Sequence, residues 1–297
     1  MKIGIIGLGY WGPHYVRIFK AMGHDVFVCD SNEERIKPYL SQCPVYLDVD
    51  NLIRDVNAVV IATPTTTHYD LAQKALFRGK HVLCEKPVTL KPMEHWHLTN
   101  CAKENNLVLF PGLTFLFNQY VRHIKAQYFD KKIMGECLYV RTERVNYGPV
   151  RHDVDAIADL ATHDVSILSY LLGKPKYVNH GLIKKPGQSQ AGAGYLNLNF
   201  NGVQTSSFVS WNEPVKSRTI RMVFENGAVD FDDLLDKPVS EYSQNNLIDQ
   251  PFFENKTQPL DNMANEFIDC IESIDCEFGL RNLQQISEYV TDILSVC

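Results

Sequence analysis

Lys2-Ile3-Gly4-Ile5-Ile6-Gly7-Leu8-Gly9-Tyr10-Trp11-Gly12 begins with a short apolar run and ends in three spaced glycines. The apolar run suits a buried strand, and Val16, Phe19 and Lys20 continue beyond the glycines as a helix that closes at Gly23. A second apolar run, Val26-Phe27-Val28-Cys29-Asp30, ends in an acid. Strand, glycine turn, helix and strand is the start of a doubly wound α/β sheet. In that setting G-x-G-x-x-G reads as a dinucleotide fingerprint. Gly7 permits the tight turn, Gly9 lets the main chain approach a pyrophosphate, and Gly12 lets helix and strand pack closely. Tyr10 and Trp11 lie inside the motif, and the helix N-terminus behind it suits phosphate oxygens. The competing reading is a glycine turn in a doubly wound fold that binds no dinucleotide.

The alternation continues to about residue 110. Asp48 to Asp55 reads as a helix, Ala58-Val59-Val60-Ile61-Ala62 as a buried strand, and His68 to Phe77 as a helix ended by Gly79. His81-Val82-Leu83-Cys84 is a strand, Pro92 to Asn105 a helix, and Leu107-Val108-Leu109-Phe110 a strand. Short strands separated by helices predict right-handed crossovers and a parallel sheet covered on both faces.

After about residue 118 the rhythm changes. Cys137 to Val145, Tyr177 to Ile183, Ala193 to Phe200, Gln204 to Trp211, Thr219 to Glu225 and Ala228 to Asp232 read as strands. Asn201-Gly202 and Asn226-Gly227 are hairpin signals between consecutive strands. Helices around Tyr120 to Phe129, Asp159 to Leu172 and Asp261 to Ile274 are expected to cover one face, and Asp232 to Gln258 reads as a loop or lid. The predicted architecture is an N-terminal Rossmann domain (1–118) followed by an α+β domain with a mostly antiparallel open sheet (119–297).

The net charge of -6 argues against a nucleic-acid surface, which needs clustered cations. The longest apolar stretches are far too short to cross a bilayer, and because Met1-Lys2 runs directly into the first strand no secretory leader is expected. The expectation is a cytoplasmic protein. Its 8 cysteines are scattered without C-x-x-C spacing or a matching histidine pair, so most are read as free thiols and no metal site is expected.

Asp30 selects between nicotinamide cofactors. A carboxylate there accepts from ribose hydroxyls and repels the extra phosphate of NADP, and Ser31, Asn32, Glu33 and Glu34 follow it, so NAD is favoured. The competing reading makes Asp30 a helix cap. Ala62-Thr63-Pro64 ends a strand at the carboxyl edge, where Thr63 and Pro64 meet a cofactor; His68 opens the next helix and reads as a helix-start residue more than a catalyst. Glu85-Lys86-Pro87 ends another strand, and a lysine there can stabilise developing alkoxide charge. Asp159 and His163, one helical turn apart in Asp159-Leu160-Ala161-Thr162-His163-Asp164, can supply a proton acceptor and the carboxylate that stabilises its charged form. Taken alone, either motif also fits a surface lysine or a capped helix.

Together these elements resemble one family, the glucose–fructose oxidoreductase, inositol dehydrogenase and rhizopine-catabolism oxidoreductases (Gfo/Idh/MocA), over nearly the whole chain. Gly9-Tyr10-Trp11-Gly12-Pro13, the stretch from Asp159 through Leu168, and Ser210-Trp211 followed by Pro214-Val215-Lys216-Ser217-Arg218 resemble a subgroup associated with sugar-nucleotide and surface-glycan pathways. The resemblance implies catalysis by Lys86, Asp159 and His163. It implies cofactor contacts from Gly7, Gly9, Tyr10, Trp11, Gly12, Asp30, Thr63, Pro64, His68, Glu85 and Lys86, and substrate contacts from Asn118 and Arg151. Leu113 replaces a common histidine and Asn118-Gln119 the usual Asn-Pro. Arg151, His152 and Lys216 are candidates for an anionic substrate group. The resemblance also implies a homodimer or homotetramer paired through the open sheet, with Val209 and Trp211 on the pairing surface. The expected activity is NAD-dependent hydride transfer at a ring hydroxyl or ketone of a sugar, with a nucleotide-linked sugar as the leading substrate class. A free polyol or inositol dehydrogenase is the alternative, and a non-catalytic NAD-responsive regulator is the alternative of another class.

Overall fold

The computed structural model describes residues 1–148, 151, 153–244, 246–254, 257–272 and 279–297. It divides into two compact units, one of Met1–Leu113 with Leu260–Thr291 and one of Thr114–Pro259 with Asp292–Cys297.

In the first unit, β1 (Lys2–Ile6), β2 (Asp25–Cys29), β3 (Val45–Tyr46), β4 (Ala58–Ile61), β5 (His81–Glu85) and β6 (Leu109–Gly112) form one sheet in the order 3-2-1-4-5-6. Every pairing is parallel. β4 is buried along its whole length, as a strand covered on both faces must be. The order reverses between β1 and β4, so the glycine loop after β1 opens at the switch point where ligands bind such sheets. The helices are α1 (Gly12–Ala21), α2 (Glu33–Ile36), α3 (Val49–Asp55), α4 (His68–Phe77) and α5 (Pro92–Glu104). Asp48 caps α3 by accepting from Asp50 and Asn51 N–H. The sequence missed the two-residue β3, which is too short to show a period.

In the second unit the helical elements are α6 (Gln119–Ile124), a π-helical stretch Lys125–Asp130, a second π-helical turn Ile157–Ala161, and α7 (Thr162–Leu172). Its eight strands are β7 (Cys137–Tyr147), β8 (Lys176–Ile183), β9 (Ala193–Phe200), β10 (Val203–Ser210), β11 (Asn212–Phe224), β12 (Gly227–Asp232), β13 (Val239–Ser243) and β14 (Asn246–Asp249). They run in the order 14-13-12-11-7-10-9-8, antiparallel except for the β7–β10 pair. Asn201 and Gly202 both take positive φ between the Phe200 and Val203 partners, the geometry of a type I′ hairpin.

The last helices are α8 (Pro259–Glu272) and α9 (Leu280–Leu294). Four expectations are corrected here. A single boundary at 118/119 gives way to a division at 113/114, with Leu260–Thr291 in the first unit. Of the three helices expected to cover the antiparallel sheet, α8 lies from Leu260 onward in the first unit, where its Phe267 meets Phe19 and Phe110 edge-on, at 6.4 and 5.6 Å. The supposed loop from Asp232 to Gln258 contains β13 and β14. Val209 and Trp211 are buried on the covered face, and it is Tyr139 and Tyr195 that face out. Among the described cysteines, Cys270 is disulfide-bonded, while Cys29, Cys43, Cys84, Cys101, Cys137 and Cys297 are free; Cys276 lies outside the described residues. Among the described residues no helix is long and apolar enough to cross a membrane.

His95 of α5 is buried and bonds through Nε2 to Ser287 Oγ of α9 at 2.9 Å. Burial lowers its imidazole from 6.5 to about 4. An unfolded histidine takes its proton near pH 6.5, whereas the folded one resists down to about 4. The stability it contributes is therefore complete above pH 6.5 and lost as pH falls. Between pH 7 and 4.5 this should remove about 2–3 kcal/mol. Urea unfolding at both pH values should show a smaller acid loss in His95→Gln than in the parent; equal losses would clear His95 of the effect.

Candidate active site

The glycine loop has the geometry that its three glycines require. Gly7 has φ +92°, and a Cβ there would stand 2.7 Å from the Ala62 carbonyl oxygen. A Cβ on Gly12 would collide with the Gly7 carbonyl oxygen, whereas one on Gly9 would meet no protein atom within 4 Å. Trp11 caps α1 with no side-chain hydrogen bond. Pro13 has no N–H and His14 N–H donates to the Trp11 carbonyl oxygen at 3.0 Å, so Gly12 supplies the helix-end N–H that an anion can take up. Exposed Tyr10 stands edge-on to Trp11, with ring centroids 5.1 Å apart. These features fit a dinucleotide: open main chain, uncapped helix, acid at the end of β2.

Asp30 does more than end that strand. Its buried carboxylate accepts from Leu8 N–H at 2.7 Å and Asn32 N–H at 2.8 Å, so it holds the glycine loop itself. It is not the cap of α2; Asn32 caps that helix through Glu34 N–H. Arg35 Nη1 lies 3.5 Å from Asp30 Oδ2, a cation five residues on that the sequence reading did not weigh. Its guanidinium is half exposed and suited to a 2′-phosphate.

At the end of β4, Thr63 Oγ1 pairs with Thr67 Oγ1 at 2.7 Å, and Thr67 also donates to the Pro64 carbonyl. His68 is buried, with Nδ1 2.8 Å from the Pro87 carbonyl oxygen and Nε2 2.9 Å from that of Thr63. It ties the loop carrying Thr63 to the loop carrying Lys86. At the end of β5, Tyr15 of α1 donates to Glu85 Oε1 at 2.5 Å. Burial first, then the Glu85 charge, pushes the Tyr15 hydroxyl well above its ordinary value, so it stays a donor. Glu85 and Lys86 are both buried, and the Lys86–Pro87 peptide is cis. Nothing in the sequence signalled the Tyr15–Glu85 contact, which joins residues 70 apart.

The second unit carries the other candidates. Asp159 sits in the π-helical turn and His163 in the first turn of α7, so the pair is not on a regular α-helix as expected. A π turn widens the helix locally, a distortion frequent at functional positions. Asp159 Oδ1 accepts from Arg151 Nη1 at 3.0 Å, and Oδ2 accepts from Trp211 Nε1 at 3.3 Å. Arg151 also makes a two-pronged contact with Asp153, at 2.9 and 2.6 Å. The residue expected to meet the substrate is thus already engaged by two carboxylates. Asn118 Oδ1 caps α6 through Tyr120 and Val121 N–H, leaving its amide nitrogen as the group it can offer. Leu113 is buried, Lys216 is exposed, and His152 lies outside the described residues. His163 has the Phe115 ring edge-on at 5.1 Å.

Residues 1–113 match the oxidoreductase family GFO_IDH_MocA, described as having an NAD-binding Rossmann fold. Over those residues the chain is similar to the Gfo/Idh/MocA Rossmann domain. A UDP-N-acetylglucosamine 3-dehydrogenase of Acidithiobacillus ferrooxidans is 34% identical over 181 residues, 58% of this chain and 55% of the relative. A myo-inositol 2-dehydrogenase of Thermotoga maritima is 26% identical over 186 residues, 59% of this chain and 55% of the relative. The matched stretch spans about half the length of these curated relatives. A solved structure of the A. ferrooxidans UDP-N-acetylglucosamine 3-dehydrogenase superposes with a TM-score of 0.81 at 25% identity, covering 99% of this chain and 96% of that one. The likeness to that solved structure covers residues of both units.

Proposed function

We propose that the protein is an NAD(P)-dependent oxidoreductase acting on a ring hydroxyl or ketone of a sugar, with a nucleotide-linked sugar as substrate and NAD as the preferred cofactor. The observation that carries this reading is the open approach at Gly9 beside the uncapped N-terminus of α1. Buried Lys86 closes β5 in the same sheet. The bound cofactor supplies the site that gives or takes hydride. In the oxidative direction His163 is assigned the hydroxyl proton, and Lys86 the stabilising of developing alkoxide charge. Asp159, itself held by Arg151 and Trp211, stabilises the imidazolium. The carbonyl forms as the hydride leaves, and reduction reverses each step. The UDP-N-acetylglucosamine 3-dehydrogenase relative supports a nucleotide-linked substrate, and the myo-inositol 2-dehydrogenase relative keeps a free polyol as the second reading.

The deciding experiment follows NADH absorbance with UDP-N-acetylglucosamine, other nucleotide sugars and free polyols. Turnover confined to nucleotide sugars supports the first reading, and turnover confined to polyols the second. NAD binding without turnover on any of them would favour a regulatory binding protein. The expected assembly is a homodimer or homotetramer, which light scattering measures directly.

Cofactor choice tests Asp30. Asp30→Ala should weaken NAD by about tenfold, the size of one lost hydrogen bond to a charged group. It should also relax discrimination against NADP, since Arg35 is then free to pair with a phosphate. An unchanged preference would remove Asp30 from that role.

A further inference from the structure

We propose that Phe115, held in place by the buried Arg144–Asp164 pair, is the positioning residue that sets the orientation of the His163 imidazole. The inference rests on reading His163 as the acid/base. Asp164 follows His163 in α7 and is 1% exposed. Its Oδ1 accepts from Arg144 Nε at 3.0 Å and Nη2 at 2.9 Å, and its Oδ2 from Thr142 Oγ1 at 3.2 Å. Thr142 and Arg144 are two residues apart on β7 and so face the same, covered side.

A buried ion pair is a poor device for merely fastening helix to sheet. Each ion costs several kcal/mol to desolvate, and apolar side chains of similar volume often fasten as well or better. What the pair adds is a fixed plane. A guanidinium held at Nε and Nη2 by one carboxylate oxygen is restrained in its orientation, and its flat face can stack on a ring. Arg144 Cζ lies 4.6 Å from the Phe115 ring centroid. The Phe115 ring in turn stands at 70° to the His163 ring, with centroids 5.1 Å apart. The contacts therefore run without a gap from a buried carboxylate, through a rigid guanidinium and a phenyl ring, to the imidazole. Proton transfer needs hydrogen-bond reach to the substrate oxygen, and a misplacement of about 1 Å can cost roughly 100-fold in rate. Phe115 is thus a wall against which the imidazole keeps its tilt.

Four variants test this: His163→Ala, Phe115→Leu, Phe115→Tyr and Arg144→Lys. Phe115→Leu should lower kcat by about 10- to 100-fold, with KM for NAD and the thermal midpoint little changed. Phe115→Tyr keeps the ring and should restore kcat to within about threefold of the parent, because both aromatic contacts survive. Arg144→Lys keeps the charge, loses the plane and should move kcat the same way as Phe115→Leu. If His163→Ala turns over normally, the acid/base reading falls and this proposal with it. If His163→Ala is inactive but Phe115→Leu has the parent's kcat, the positioning role alone is wrong. A readout that needs no turnover is the pair of carbon-bound ring protons of His163, identified by their loss in His163→Ala. The Phe115 ring current displaces them, so Phe115→Leu should shift both; unmoved resonances would overturn the contact.

Discussion

Replacing Lys86 by methionine, or His163 by alanine, is expected to lower kcat by about 100- to 10,000-fold, the usual contribution of a positioned acid or base. NADH affinity should stay within about threefold of the parent in His163→Ala, since the groups that meet the pyrophosphate are the glycine loop and the N-terminus of α1. Methionine is chosen at Lys86 because the lysine is buried at the end of β5, where its aliphatic stem fills space that a shorter side chain would leave empty. Steady-state kinetics together with an NADH fluorescence titration separates the two effects. Turnover at the parent's rate in both variants would end the assignment of the site.

The parallel sheet was legible because its strands are short apolar runs with helices between them, and because Gly7, Gly9 and Gly12 occur where the order of strands reverses. The Asn201-Gly202 hairpin was equally plain, since both residues needed positive φ. At the second hairpin signal the ladder pairs Phe224 with Gly227, so the turn residues are Glu225 and Asn226 and the glycine belongs to the strand.

What was not legible depends on partners far away in the chain. The apolar face of α8 announces that it must be buried, but only the contacts of Phe267 with Phe19 and Phe110 say where. The π turn at Ile157–Ala161 has no sequence period of its own, so Asp159 and His163 looked like an ordinary helical pair. Strand alternation sets Thr205, Ser207 and Val209 on one face of β10, yet not which face is covered. The site residues that the sequence missed are of the same kind. Tyr15 bonds Glu85, Arg144 bonds Asp164, and Arg35 approaches Asp30; each is a polar pair brought together by folding rather than by spacing. Asp164 lies inside the Asp159–Asp164 motif, and only the geometry gives it and Phe115 their shared partner Arg144.

Gly9→Ala and Gly12→Ala are expected to part company, because the two glycines answer to different neighbours. A methyl at Gly12 collides with the Gly7 carbonyl oxygen, a main-chain atom that cannot swing aside as a side chain would. The turn must open, at a cost of about 1–3 kcal/mol for an overpacked position, and NAD affinity should fall by at least about tenfold as the N-terminus of α1 is displaced. At Gly9 a methyl meets no protein atom within 4 Å and the backbone is not in the left-handed region, so the folded protein should accept it without loss of stability. If the pyrophosphate approaches the main chain there, however, the same methyl occupies the path. Gly9→Ala should then match the parent in thermal unfolding measured without cofactor, yet show little of the stabilisation that saturating NAD gives the parent. A Gly9→Ala protein that NAD stabilises as fully as the parent would mean that the phosphates do not pass over Gly9, and the cofactor would have to be placed elsewhere on this sheet.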